Sequence, residues 1–145
     1  MRAIVQRVKR AKVIVGGKVV AQIGKGFLVL LGVSQEDTEK EVDWLVEKVC
    51  NLRIMSDEKE KMNKSLKEVG GKLLVVSQFT LYGDCLKGRR PSFIKAAKPE
   101  KAKKLYNLFI QKAKDYRIKV EAGIFGAMMA VELVNDGPVT LIIER

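Results

Sequence analysis

Apolar and polar residues follow two different periods along this chain, and the switches between them outline its elements. Residues 2–33 read as β-structure. Val13-Ile14-Val15 and Val19-Val20 flank Gly16-Gly17, a pair that tolerates the positive φ of a tight hairpin. Gly24-Lys25-Gly26 then punctuates the chain before Phe27-Leu28-Val29-Leu30-Leu31, a continuous apolar run suited to a strand buried on both faces. From residue 37 to 51 the period becomes helical: Val42, Leu45, Val46 and Val49 form one face, and Glu39, Lys40, Glu47 and Lys48 the other. Asp37 or Thr38 is suited to cap its start. Residues 53–72 are polar and end in Gly70-Gly71, which predicts a long connection with some short structure. Leu73 to Phe79 is the next buried strand. A loop-like stretch with Gly83, Gly88 and Pro91 follows, over residues 81–98. Pro99 suits the first position of a second helix, with Ala102, Leu105, Phe109 and Ala113 as its apolar stripe. Two closing strands, Met129 to Val134 and Val139 to Ile143, are joined by Asn135-Asp136-Gly137-Pro138. No linker or internal repeat interrupts the 145 residues. The expectation is therefore one mixed α/β domain over residues 1–145, a three-layer arrangement of two packed β-sheets with helices on one side.

Composition narrows the class. A 47% hydrophobic content is that of a globular chain and excludes disorder. The longest apolar runs, Phe27 to Leu31 and Leu73 to Val76, are too short to span a membrane. Arg7, Lys9, Arg10 and Lys12 interrupt any signal-peptide core, so no membrane association and a cytoplasmic location are expected. The formal charge of +11, from 28 basic and 17 acidic residues, fits a nucleic-acid partner and equally a heavily solvated surface. Cys50 falls in the apolar pattern of the first helix and reads as packing, and Cys85 follows Asp84 in a loop. Two unclustered cysteines and no histidine argue against a zinc site; no metal is expected. The missing histidine also removes every imidazole general base and every Ser-His-Asp or Cys-His scheme.

Three segments could carry chemistry. Ser77-Gln78-Phe79-Thr80 lies where a buried strand ends, a common place for active-site groups; it offers hydroxyls, an amide and an aromatic face. Alternatively, it is a strand that turns polar as it surfaces. A Ser or Thr nucleophile here lacks a base, since Lys would serve only with a strongly lowered pKa. Asn135-Asp136-Gly137-Pro138-Val139-Thr140 reads as an ordinary turn or, if Gly137-Pro138 is cis (about 5% of X–Pro bonds), as a rigid pair of carbonyl acceptors. Lys87, Arg89 and Arg90 lie in a Gly/Pro-shaped loop, and Arg is the best bidentate partner for phosphate. Neither a Walker loop nor a dinucleotide fingerprint occurs, so no cofactor is implied. Two rivals to an RNA-acting enzyme stay open: a basic module that binds RNA without chemistry, and a Ser/Thr hydrolase of a small ester or amide.

With these segments the chain resembles the D-aminoacyl-tRNA deacylase family. The likeness includes Val-Gln-Arg-Val at 5–8, Leu-Val-Leu-Leu-Gly-Val at 28–33, Asn-Leu-Arg-Ile at 51–54 and Lys61-Met62-Asn63. It continues through Val-Ser-Gln-Phe-Thr-Leu-Tyr at 76–82, Gly-Arg-Arg-Pro-Ser-Phe at 88–93 and Asn-Asp-Gly-Pro-Val-Thr at 135–140. The resemblance implies a homodimer with its active sites at the subunit interface and aminoacylated tRNA, at its 3′ acceptor end, as partner. Ser77, Gln78, Phe79 and Thr80 would line the pocket for the terminal adenosine and the aminoacyl ester. Gly137 and Pro138 would form a cis-peptide wall reaching the partner's site and rejecting L-residues, while glycine still enters. The amides of Phe79 and Thr80 would stabilise the oxyanion, helped by the terminal 2′-hydroxyl; the alternative makes the Thr80 side chain the nucleophile. Members often carry Ala-Asp-Met near the stretch that here reads Phe125-Gly126-Ala127-Met128-Met129, so Met128 removes a carboxylate beside the expected pocket.

Overall fold

The computed structural model describes residues 1–145. Its spine is the long first strand, β1 (Arg2–Val15). Along one edge β1 pairs antiparallel with β8 (Ala130–Glu144) over almost its whole length. The other edge is shared: residues 2–8 pair with β3 (Gly26–Gly32) and residues 11–15 with β2 (Lys18–Ile23). β3 continues in parallel to β6 (Lys72–Ser77), and β6 to β7 (Lys119–Ala122).

Side-chain alternation converts this pairing into layers. On β3 and β6, Phe27, Val29, Leu31, Leu73 and Val75 join the core beneath the helices, whereas Leu28, Leu74 and Val76 join a second core with Val8, Ala11, Val13, Ala21 and Ile23. β1 passes from one core to the other, since its Ala3 and Val5 belong to the first and its Val8, Ala11 and Val13 to the second. The result is the expected three layers with helices on one side. The two sheet layers are one continuous six-stranded sheet folded over along β1.

Helix α1 (Glu39–Cys50) starts at Thr38, which with Glu41 forms a capping box; the box satisfies two amides that a helix end leaves open. Asp37, the other capping candidate, is instead buried, accepting from the Met1 ammonium at 2.6 Å and the Ser34 amide at 2.7 Å. Helix α2 (Pro99–Asp115) has proline at its first position and buries Ala102, Leu105, Tyr106, Phe109 and Ala113. Burial pushes the Cys50 thiol up to about 12, which leaves it a packing group. Truncating the fully buried Phe109 is expected to cost about 3–5 kcal/mol.

Four elements differ from the pattern reading. β6 stops at Ser77, and Phe79–Tyr82 form a 3-10 turn. The polar connection holds a small hairpin, β4 (Met55–Ser56) with β5 (Met62–Lys64). β7 was not anticipated, because its four residues KVEA give too short a run to show a period. Finally, residues 135–138 do not join two strands: β8 runs on through them, since β1 keeps pairing on both sides. Between the pairs Gln6↔Thr140 and Val8↔Asn135, β8 advances five residues while β1 advances two, so the excess bulges outward. No helix is long and apolar enough to cross a membrane.

Candidate active site

The three parallel strands β3, β6 and β7 end side by side, with Leu31 opposite Ser77 and Val75 opposite Ala122. A cleft of about 750 Å³ opens beyond those carboxyl ends, where ligands of such sheets are commonly held. Each strand contributes the residues that follow it: Val33 after β3, Gln78 to Thr80 after β6, and Phe125 to Met129 after β7. Ala96, Pro99 and Ala102 close the side toward α2. The lining contains no ionisable side chain.

The turn at Phe79–Tyr82 is seated closely on β3. The Gln78 amide donates to the Leu31 carbonyl at 2.8 Å. A Cβ added at Gly32 would lie 3.1 Å from Leu81 Cβ and 3.2 Å from the Gln78 carbonyl oxygen, so glycine permits this approach. Behind the turn, Tyr82 is buried, and desolvation pushes its hydroxyl up to about 12. Gln78 gives the turn no side-chain cap; its amide group donates instead to the Thr80 hydroxyl. Phe79 is exposed and meets Phe93 edge-on, with ring centroids 5.1 Å apart.

Phe93 ends the basic loop. Asp84 and Ser92 close that loop through two main-chain hydrogen bonds of 2.8 and 2.9 Å, leaving Lys87, Arg89 and Arg90 exposed beyond them. The loop is thus tied to the rim of the cleft at its base. Met128 also lines the cleft and is 93% exposed, so a thioether stands where the resemblance leads one to expect a carboxylate.

Gly137 and Pro138 do not line this cleft; they are exposed on the bulge of β8. Their peptide bond is cis. The bulge is held from inside. Arg7 is 9% exposed; its Nε donates to the Asp136 carbonyl at 2.8 Å, and its Nη1 to the Ile54 carbonyl at 2.7 Å. Asn135 accepts from the Val139 amide at 2.8 Å, and its own amide donates to the Val139 carbonyl at 3.2 Å and the Thr140 hydroxyl at 3.1 Å. Gly137 has φ +142°, a region that favours glycine.

The structure therefore brings Ser77, Gln78, Phe79 and Thr80 together, sets the basic loop beside them, and keeps Gly137 and Pro138 apart within one chain. Sequence reasoning overlooked Arg7, Phe93 and Phe125 as site-forming residues. For Arg7 a signal existed: it continues the inward positions Ala3 and Val5 of β1, and a buried arginine must find partners. The periods gave none for Phe125, because its place in the cleft depends on the unanticipated β7; only the resemblance set its stretch beside the expected pocket.

Comparison with known proteins places the chain in a family. The family model described as D-Tyr-tRNA(Tyr) deacylase matches residues 4–144. A D-aminoacyl-tRNA deacylase of Desulfatibacillum aliphaticivorans is 64% identical, with 99% of each chain covered. One of Fusobacterium nucleatum is 60% identical, with 99% of this chain and 95% of that one covered. The solved structure of a protein described as "c-Myc DNA Unwinding Element Binding Protein" superposes with a TM-score of 0.95 at 47% identity, covering 100% of this chain and 99% of that one. A probable eukaryotic D-amino acid tRNA deacylase shares the fold, with a TM-score of 0.81 at 20% identity over 98% of this chain and 97% of that one. By sequence over nearly its whole length, the chain belongs to the D-Tyr-tRNA(Tyr) deacylase family.

Proposed function

We propose that the chain hydrolyses the ester between a D-amino acid and the 3′ end of tRNA in the cytoplasm, returning mischarged tRNA to use. The observation that carries the mechanism is a cleft lined mainly by apolar residues, with no ionisable side chain. Such a site has no acid or base to offer, and an aminoacyl ester needs little: it is already activated. A positioned water and amide donors aimed at the developing oxyanion suffice. The amides of Phe79 and Thr80, at the start of an uncapped turn, supply the donors, and Ser77 and Gln78 help hold the terminal adenosine. The substrate's own 2′-hydroxyl assists the attack. Thr80 as nucleophile is the weaker reading, because its hydroxyl accepts from Gln78 and no titratable group shares its cleft.

Selection by handedness comes from a second copy of the chain. Gly137 and Pro138 are exposed, and β8 bears Leu141 and Ile142 exposed, the latter at 71%. β8 also has a free edge, since it pairs only with β1. A homodimer through this region brings each Gly137–Pro138 pair to the partner's cleft as a main-chain wall. An L side chain meets the wall; a D side chain points away, and glycine has nothing to clash. Lys87, Arg89 and Arg90 bind phosphates of the acceptor end.

The deciding experiment incubates the purified protein with D-Tyr-tRNA, L-Tyr-tRNA and Gly-tRNA. The expected result is rapid release of D-tyrosine, slower release of glycine, and L-tyrosine release at the uncatalysed rate. Release from neither tyrosyl-tRNA would overturn the deacylase reading. Equal release from both would overturn the wall.

A further inference from the structure

The turn that forms the cleft wall is short, and its front residues, Phe79 and Thr80, are exposed. Main-chain ties flank it: the Gln78 amide reaches the Leu31 carbonyl at 2.8 Å, the Leu81 amide the Gln78 carbonyl at 3.3 Å, and the Gly83 amide the Thr80 carbonyl at 2.9 Å. Its back residues are gripped from outside the cleft by one side chain. Arg2 donates through Nη1 to the Leu81 carbonyl and through Nη2 to Glu144 at 2.6 Å. Its guanidinium carbon stands 4.9 Å from the centre of the Tyr82 ring. The buried Nε has no partner, so the group's position is dictated by the turn and by Glu144, not by satisfying all its own donors. Arg2 touches neither the cleft nor any residue expected to meet tRNA.

We propose that Arg2 is a positioning residue for the deacylation reaction, a clamp that fixes the Phe79–Tyr82 turn against β3 so that the cleft wall meets the ester in one geometry. The proposal rests on the reading that main chain at Phe79 and Thr80 faces the ester. Three features make arginine the fitting residue. Its planar fork bonds a carbonyl and a carboxylate at once. Its face stacks on the Tyr82 ring. It also bridges β1, β8 and the turn, so the wall is referenced to the sheet. Displacements of about 1 Å at a reacting centre can reduce rates about a hundredfold, so a clamp outside the cleft affects turnover more than binding.

The test uses the full-length protein with D-Tyr-tRNA and compares Arg2→Met, Arg2→Lys and Glu144→Gln with the unaltered chain. Arg2→Met is expected to lower kcat about 30- to 100-fold while KM stays within about twofold. Arg2→Lys keeps the charge without the fork and should recover kcat to within about tenfold, and Glu144→Gln should have the smallest effect. In 1H–15N spectra the Phe79 and Thr80 amides should move in Arg2→Met, and those of α1 should not. Unmoved amides, or a raised KM with unchanged kcat, would overturn the proposal. Moved amides with unchanged kcat would uphold the clamp and overturn the role given to the two amides. If Arg2→Met fails to fold, Arg2→Lys and Glu144→Gln read the same two quantities.

Discussion

The cleft wall at Ser77–Thr80 and the bulge at Asn135–Thr140 both present main chain, yet they are held in opposite ways. The wall grows out of β6, whose Leu73 to Val76 are buried on both faces, so apolar packing fixes its origin and Arg2 clamps its far end. The bulge has little such support, with Val139 packed against the core from its far end. Its residues are half-buried or exposed, and it keeps its shape through Arg7, Asn135 and the carbonyls they engage. Packing tolerates small polar changes nearby, whereas a hydrogen-bonded loop fails when one buried donor is lost, because the orphaned acceptors lose water as well. Mutations should therefore divide the two regions sharply.

Arg7→Met should have the largest effect. It leaves the Ile54 and Asp136 carbonyls without their donor and is expected to lower kcat/KM on D-Tyr-tRNA by about two to three orders of magnitude. It should also narrow the gap between D- and L-substrates, measured by parallel single-turnover assays. Gly137→Ala comes next: its methyl would lie 2.8 Å from Val139 Cγ2 and 3.2 Å from Arg7 Nη2, at a φ of +142°. Activity should fall about tenfold or more, with the dimer intact by analytical ultracentrifugation. Replacing Arg89 and Arg90 together by Gln should raise KM several-fold and make the dependence of log KM on log salt shallower by about 1–2 units, with kcat little changed. Thr80→Ala should do least, keeping kcat within about threefold because the main chain remains. Near-complete loss there would restore the nucleophile reading.

Much of the wall's support was legible because packing writes itself into residue periods. The unbroken apolar runs of β3 and β6 and the stripe of α2 follow from burial, whereas the end of β6 at Ser77, short of the expected Phe79, does not. What the periods could not show was long-range pairing. The bulge looked like a turn because Asn, Asp, Gly and Pro are turn residues locally; only the continued pairing of β1 on both sides makes it an interruption within one strand. Arg7 read only as an interruption of a signal-peptide core and as one letter of the Val-Gln-Arg-Val motif, since its partners lie 47 and 129 residues away. The motifs, and not the periods, pointed to the chemistry. Ser77-Gln78-Phe79-Thr80 and Gly137-Pro138 acquire meaning from their resemblance to a family and from the second subunit proposed above, and neither can be read from burial.

Mixing two defective protomers tests the shared site most directly. Ala96→Trp fills the cleft, and Gly137→Val damages the bulge; each alone should form inactive dimers. If every active site combines one chain's cleft with its partner's bulge, a random equimolar mixture holds one intact site in each heterodimer and regains about a quarter of the unaltered activity on D-Tyr-tRNA. A mixture that stays as inactive as its parents, with heterodimers demonstrably formed, would contradict the account.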